Sequence, residues 1–246
     1  MTRTTSGTRR IGGVLRRFPL AHRLAVRGWQ VIQITRRKGQ IERYLESHER
    51  RYLRLGSARH TDPGWLSVDF ARGWSGVVFM DVTKPFPLPS GSFDAVQAEH
   101  LIEHISYDAG LAMLSECHRV LRSGGILRIA TPNLALVPRL LSSGTSDPAL
   151  KSYVEWSNGS WGSPEERRSV GNPVFTVNRL VRSFGHIFIY DEATLRDALI
   201  ASGFRDVVTF ASGDSMHPEL RGIDRHHEEV GELANEIETL VLEGTA

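Results

Sequence analysis

The sequence predicts an α/β fold built on a mostly parallel sheet, and three observations predict it. Residues 93–132 read as strand, helix, strand with short links, a βαβ unit whose two strands should be parallel and joined by a right-handed crossover. Three short apolar segments precede it, at 51–55, 65–70 and 77–80, each ending in glycine or an acidic residue. A capped helix and two further strand-like segments follow it, at 191–202, 207–210 and 238–243.

In the central unit, residues 93–98 are apolar and follow Pro89, Ser90, Gly91 and Ser92, which supply turn chemistry. Ser106 is placed to cap a helix, with Asp108 in its first turn. Leu111, Leu114, Cys117 and Leu121 then recur at helical spacing, widened by Met113 and Val120. Arg119 and Arg122 suit the last turn, and Gly124-Gly125 reads as the stop. Residues 126–130 form the second strand, closed by Thr131-Pro132.

Upstream, residues 13–38 mix Leu, Val, Ile and Trp29 with arginines and predict a helix broken at Gly39, followed by a short second helix. The link between the first two strands is shorter than the dozen or so residues a parallel crossover normally needs, so their relative direction stays open. Pro85, Pro87 and Pro89 stiffen the next link. Downstream, residues 134–185 are rich in Ser, Gly and Asn, carry Trp156 and Trp161, and read as an insertion that forms a binding loop or lid. Asp191 caps the last clear helix and Gly203 stops it. The domain division that follows is a basic helical extension over 1–50 and one catalytic-size domain over 51–246 with the insertion at about 134–185.

Composition narrows the class. Of 246 residues 40% are hydrophobic and 24% charged, ordinary for a globular protein. A lone cysteine, Cys117, excludes a disulfide framework and fits a cytoplasmic location; it falls on the apolar helix face and reads as core. No apolar run reaches the roughly 18 residues of a membrane span. Charge is uneven: residues 1–54 hold 14 of the 30 Lys and Arg and 3 of the 28 Asp and Glu, so a +11 arm precedes a −9 body. Such an arm either packs back on the acidic body or touches an anionic surface, which makes residues 13–38 a candidate for peripheral contact with the inner membrane face. The aromatic-interleaved basic surface of a nucleic-acid binder is missing, so no nucleic acid is expected.

Ligands in open α/β sheets bind beyond the carboxyl ends of the strands. Glu99-His100-Leu101-Ile102-Glu103-His104 falls at such an end. Its spelling also fits the H-x-x-E-H pattern of inverted zinc peptidases, but that site needs both histidines well inside a helix and a third ligand downstream. The segment comes directly off a strand, so no metal ligand is expected here. His226-His227, in a polar stretch after Asp224 and Arg225, read as solvent-facing.

Linked motifs carry a family resemblance over about 53–133 and 184–246. LRLGSARHTDPGWLSVD, DVTKPFPLPSGSFDAVQAEHLIEHI, ECHRVLRSGGILRIATPN and GHIFIYDEATLRDALIASGFRDV, in this order and spacing, resemble the class I S-adenosylmethionine-dependent methyltransferases of the type 11 branch. The resemblance implies a Rossmann-like seven-stranded sheet, mostly parallel with an antiparallel last strand, and helices on both faces. It implies S-adenosyl-L-methionine as cofactor. Gly56 and Ser57 would lie near its methionine part, Asp69 would accept its ribose hydroxyls, Phe70 would flank the adenine, and Asp81 with Val82 would take the adenine amino group. Glu99 and His100 would line the reactive end. The loop departs from the family at Ala58, where a second glycine is usual. His100, His104 and His186 are the candidate catalytic groups for an oxygen acceptor, and the acceptor class implied is a small molecule, a sugar or a lipid-linked glycan. A non-catalytic binding or regulatory protein on the same fold is the alternative.

Overall fold

The computed structural model describes residues 19–70, 74–143 and 146–246, with the side chains of these described from residue 33 onward except at Ser143. The first 18 residues of the basic arm, including 13–18 of the candidate membrane segment, lie outside them. Seven strands form one sheet: β1 (Tyr52–Leu55), β2 (Trp65–Asp69), β3 (Val78–Phe79), β4 (Phe93–Glu99), β5 (Leu121–Pro132), β6 (Arg205–Phe210) and β7 (Thr239–Thr245). Their order is β3-β2-β1-β4-β5-β7-β6. The pairs through β5 are parallel, and β7 alone runs antiparallel to both of its neighbours. This is the Rossmann-like arrangement expected. The β1–β2 pair is parallel, Tyr52 facing Trp65 and Leu55 facing Val68, and the link at 56–64 crosses without a helix. The short link suffices because only four residue pairs need to be reached.

Helix α1 (Pro19–Ser47) runs straight through Gly39, where the sequence predicted a break. A glycine inside a helix costs about 1 kcal/mol and does not end it; here Ile41 and Tyr44 bury against the sheet and carry the helix past it. The Tyr44 hydroxyl donates to the carbonyls of Tyr52 and Gly64 and accepts from the Tyr52 amide. The end of the basic extension is therefore part of the main core.

Helix α2 (Tyr107–Val120) is capped by Ser106, whose hydroxyl accepts from the Ala109 amide, as the sequence predicted. It buries Met113, Leu114, Cys117 and Val120, and burial pushes the Cys117 thiol well above its ordinary pKa, as suits an inert core thiol. Its end differs from the sequence expectation. The helix stops at Val120, Leu121 is already extended and pairs with Phe93, and Gly124-Gly125 form a bulge inside β5. Strand pairing outranks the glycine signal because the amides of Gly91 and Ser92 take the carbonyls of Arg119 and Val120. Arg122 consequently leaves the helix and pairs with Asp94 at 2.6 Å.

The insertion folds as helices α3 (Leu136–Ser143), α4 (Pro148–Trp161) and α5 (Pro173–Arg182), the last two capped by Asp147 and Asn172. They bury a satellite core of Leu136, Leu140, Leu150, Tyr153, Val154 and Leu180, joined by Ile189 and Ala234. Helix α6 (Glu192–Ala201) is capped by Asp191. Helices α7 (His227–Val230) and α8 (Glu232–Glu238) then lead into β7.

On the sheet, Arg128 of β5 is fully buried and ion-paired to Asp224 and to Glu243 of β7. Its guanidinium also donates to the Asp214 carbonyl. One buried cation thus fixes the segment from Asp214 to Asp224, which runs on into residues 225–230 at the carboxyl ends of the strands.

Candidate functional site

The carboxyl ends of β1 and β4 open on two adjoining cavities. The first, of about 180 Å³, is lined by the loop after β1 (Gly56, Ser57, Ala58, His60), by Glu99 and His100, and by Arg225, His226 and Glu229. The second, of about 300 Å³, is lined by His100, Glu103, His104 and His186, by Tyr153, Trp156, Trp161 and Phe184 of the insertion region, and by His226, Glu229 and Glu238. His100, His226 and Glu229 belong to both and form the wall between them.

The loop after β1 is shaped by left-handed backbone. Gly56 has φ +63°, and a Cβ built there would sit 2.9 Å from Leu101 Cδ1, so only glycine leaves this floor at backbone level. Ala58 also takes a positive φ, 47°, and donates its amide to Asp69 Oδ2 at 2.7 Å. The residue that departs from the family's glycine thus adopts the glycine-like conformation and ties the loop to the carboxylate at the end of β2. The Ser57 hydroxyl is buried and makes no hydrogen bond.

Beyond β4 the chain turns at His100, again with positive φ, 46°. Ile102–His104 is a single 3-10 turn. The histidines of H-x-x-E-H therefore share no helical face, and the inverted zinc-peptidase reading fails on geometry. Glu103 is fully buried. Its Oε1 lies 3.2 Å from His100 Nδ1 and 3.9 Å from His104 Nε2, and its Oε2 accepts from the Thr131 hydroxyl at 3.0 Å. Its carbonyl takes the amides of Ile187 and Phe188, which ties the end of the insertion to the sheet. Burial works against a charge on either member of the His100–Glu103 pair, but their mutual contact outweighs it: His100 is held above its ordinary pKa and Glu103 below. His100 Nε2 is buried and makes no hydrogen bond.

Glu99 lines the first cavity, and both its oxygens accept backbone amides, from Arg225 and His226. Its carboxylate is a clamp for residues 225–226. Arg225 reaches back to Asp62 at 2.9 Å, and Asp62 also pairs with Arg54 at 2.9 Å, so this segment straps across the loop after β1.

Of the residues picked from sequence, the structure gathers Gly56, Ser57, Glu99 and His100 at the first cavity and His100, His104 and His186 at the second. Asp69, Phe70, Asp81 and Val82 stand at the ends of β2 and β3, outside both linings. Phe70 is exposed with its ring 5.5 Å from Phe79, Asp81 accepts the amide and hydroxyl of Thr83, and Val82 is buried in the core.

His226 is a correction. Expected in solvent, it stacks on His100 with ring centres 3.6 Å apart and bonds through Nε2 to Glu238 at 2.7 Å. The Tyr153 hydroxyl donates to the other Glu238 oxygen at 2.5 Å. His226, Glu238 and Tyr153 were missed because they are far apart in sequence and lie on no common period; the two tryptophans of the insertion were the only local signal for that wall.

Residues 20–129 match the family model described as "Methyltransferase domain". No curated protein sequence matches the chain. Among solved structures, an S-adenosylmethionine-dependent methyltransferase from Archaeoglobus fulgidus is 18% identical, with 89% of this chain and 94% of that one covered and a TM-score of 0.47. One from Thermotoga maritima, a possible histamine N-methyltransferase, is 17% identical over 82% and 87%, with a TM-score of 0.43. A third, from Mesorhizobium loti, is 17% identical over 80% and 90%, with a TM-score of 0.42.

Proposed function

We propose that the chain, whose residues 20–129 match a methyltransferase domain, is a class I S-adenosylmethionine-dependent methyltransferase that methylates a hydroxyl of a small-molecule, sugar or lipid-linked glycan acceptor seated in the larger of the two cavities. The observation that carries the reading is His100. It stands in the wall between the two cavities with Nδ1 turned to Glu103 and Nε2 free of any hydrogen bond.

The residues of the smaller cavity fit the methionine end of the cofactor. Gly56 keeps the floor at backbone level, and the Ser57 hydroxyl is a buried polar group with no hydrogen-bond partner among the described residues. Asp69, held by the Ala58 amide, would accept the ribose hydroxyls, Phe70 would flank the adenine, and Asp81, next to the buried Val82, would take its amino group. When bound, the cofactor supplies an electrophilic methyl group on a sulfonium. His100 accepts the proton of the acceptor hydroxyl at Nε2, so that an oxygen lone pair is available in line, and Glu103 stabilises the imidazolium formed. The proton passes from His100 to water in the open cavity. His104 and His186 orient the acceptor. A sugar suits the wall of Trp156, Trp161 and Phe184, whose rings offer apolar faces beside the polar His and Glu side chains.

Cofactor binding followed by transfer of a labelled methyl group to sugars and lipid-linked glycans tests this. Labelled product that is acid-stable, as an ether is, supports it; binding with no transfer to any hydroxyl acceptor leaves the non-catalytic reading, which the engagement of both Glu99 oxygens favours. Gly56→Ala should weaken cofactor binding by about tenfold or more, roughly 1.4 kcal/mol, because the new methyl must displace Leu101; calorimetry reads it. A peripheral role at the inner membrane face through residues 13–38 belongs to the same proposal. Deleting residues 1–38 should lower sedimentation with anionic vesicles and leave cofactor binding unchanged, and unchanged sedimentation removes that role.

A further inference from the structure

We propose that Glu103, His104 and His186 form a binding site for one divalent transition-metal ion of the zinc class, opening on the acceptor cavity. The three side chains each offer a ligand atom, and those atoms all lie within 4.8 Å of one another. All three residues line the larger cavity.

Each donor is presented as a ligand. His186 Nδ1 bonds to the Leu180 carbonyl at 2.7 Å. A carbonyl only accepts, so the proton sits on Nδ1 and the lone pair on Nε2 is left for an ion. His104 Nε2 is 3.9 Å from Glu103 Oε1, too long for a hydrogen bond. Glu103 is fully buried, and its Oε1 makes no hydrogen bond of good direction although His100 Nδ1 lies 3.2 Å away. An ion between the three atoms would give that oxygen a second partner beside His100.

The surroundings have the make-up of an outer shell. Metal-bound carboxylates and imidazoles are held by a second layer of hydrogen bonds. Here Thr131 holds Glu103 Oε2, His100 flanks Oε1, and Leu180 holds His186. Two imidazoles and one carboxylate select zinc, cobalt or iron(II) over magnesium or calcium. Three protein ligands leave a further position open, the pattern of a site that takes an exogenous ligand. That position faces the cavity, where a hydroxyl or carboxylate oxygen of the acceptor can occupy it. Tetrahedral zinc sets neighbouring donors roughly 3.4 Å apart, so binding draws the two imidazoles inward.

The grouping is not the one spelled by H-x-x-E-H. His100 is displaced from the ion by the 3-10 turn, and His186 is brought in from the far end of the insertion by the bonds of Ile187 and Phe188 to Glu103.

The test uses tag-free full-length protein, stripped with a chelator and dialysed against zinc chloride alone. The expected result is one zinc per chain by mass spectrometry, with cobalt(II) giving the intense visible absorption of a four-coordinate ion. His186→Ala and His104→Gln should each weaken zinc binding by at least about a hundredfold, and the control His217→Ala should not. Circular dichroism identifies any variant that fails to fold, and the second variant then decides. No bound zinc in the wild type, or undiminished binding in a folded His186→Ala protein, overturns the site. Cofactor calorimetry on the same stripped protein separates this outcome from the methyltransferase reading, because the cofactor cavity contains none of the three ligands.

Discussion

Replacing His100 with alanine is expected to lower kcat for methyl transfer by about 10²–10⁴-fold, the usual contribution of a positioned general base. The dissociation constant of the cofactor should move far less, because the floor of that cavity is made by Gly56 and Ser57. His100 lies where the two cavities meet, and Glu103 behind it fixes the ring. Glu103→Gln should lower kcat less than His100→Ala, since the amide still accepts from Nδ1 but no longer stabilises the imidazolium. Steady-state kinetics and calorimetry on the same preparations check both. Equal losses of turnover and of cofactor affinity in His100→Ala would place the residue in cofactor binding and not in proton transfer.

Arg128→Ala is expected to be the most destabilising single change in the chain, at about 3–5 kcal/mol. The change leaves Asp224 and Glu243 buried without their cation, and removes the donor to the Asp214 carbonyl. For a chain of this size the thermal midpoint should fall by roughly 10 °C. The effect reaches the site, because Asp224 directly precedes Arg225 and His226, the strap over the smaller cavity. The pair also sets an acid limit. Burial pushes the Asp224 carboxyl up, but the Arg128 guanidinium outweighs it and holds the pKa below the ordinary 3.8. A carboxyl lowered on folding contributes stability in full above its unfolded pKa and loses it as pH falls through the folded one. The wild type should therefore lose this contribution only below about pH 4, and the penalty of Arg128→Ala should shrink as pH falls, because protonation neutralises the buried carboxyls left without a cation. Thermal melts across pH 2–7 read both.

The sheet was legible in the sequence because its strands are short, apolar and bounded by glycine, proline or acidic residues, from the loop after Leu55 to the cap at Asp191. Helix ends were less so. Gly39 and the Gly124-Gly125 pair carry strong local stop signals, and both lost to packing, of Ile41 and Tyr44 in one place and of the Phe93–Leu121 pair in the other. The first half of the candidate site was legible as a position for the same reason as the strands, since Gly56, Ser57, Glu99 and His100 sit where strands end. The second half was not. His226, Glu238 and Tyr153 meet only because Glu99 clamps the amides of residues 225 and 226 and because the insertion helices pack with Ala234 of helix α8 in one satellite core. Contacts between residues 85 positions apart, as in Tyr153 and Glu238, leave no periodic trace.

The most direct test of the account is calorimetric titration of the full chain with S-adenosylmethionine, repeated on Gly56→Ala. One cofactor should bind per wild-type chain, and the variant should show a clear loss of affinity. No heat of binding at millimolar cofactor, with the protein folded by circular dichroism, would contradict it.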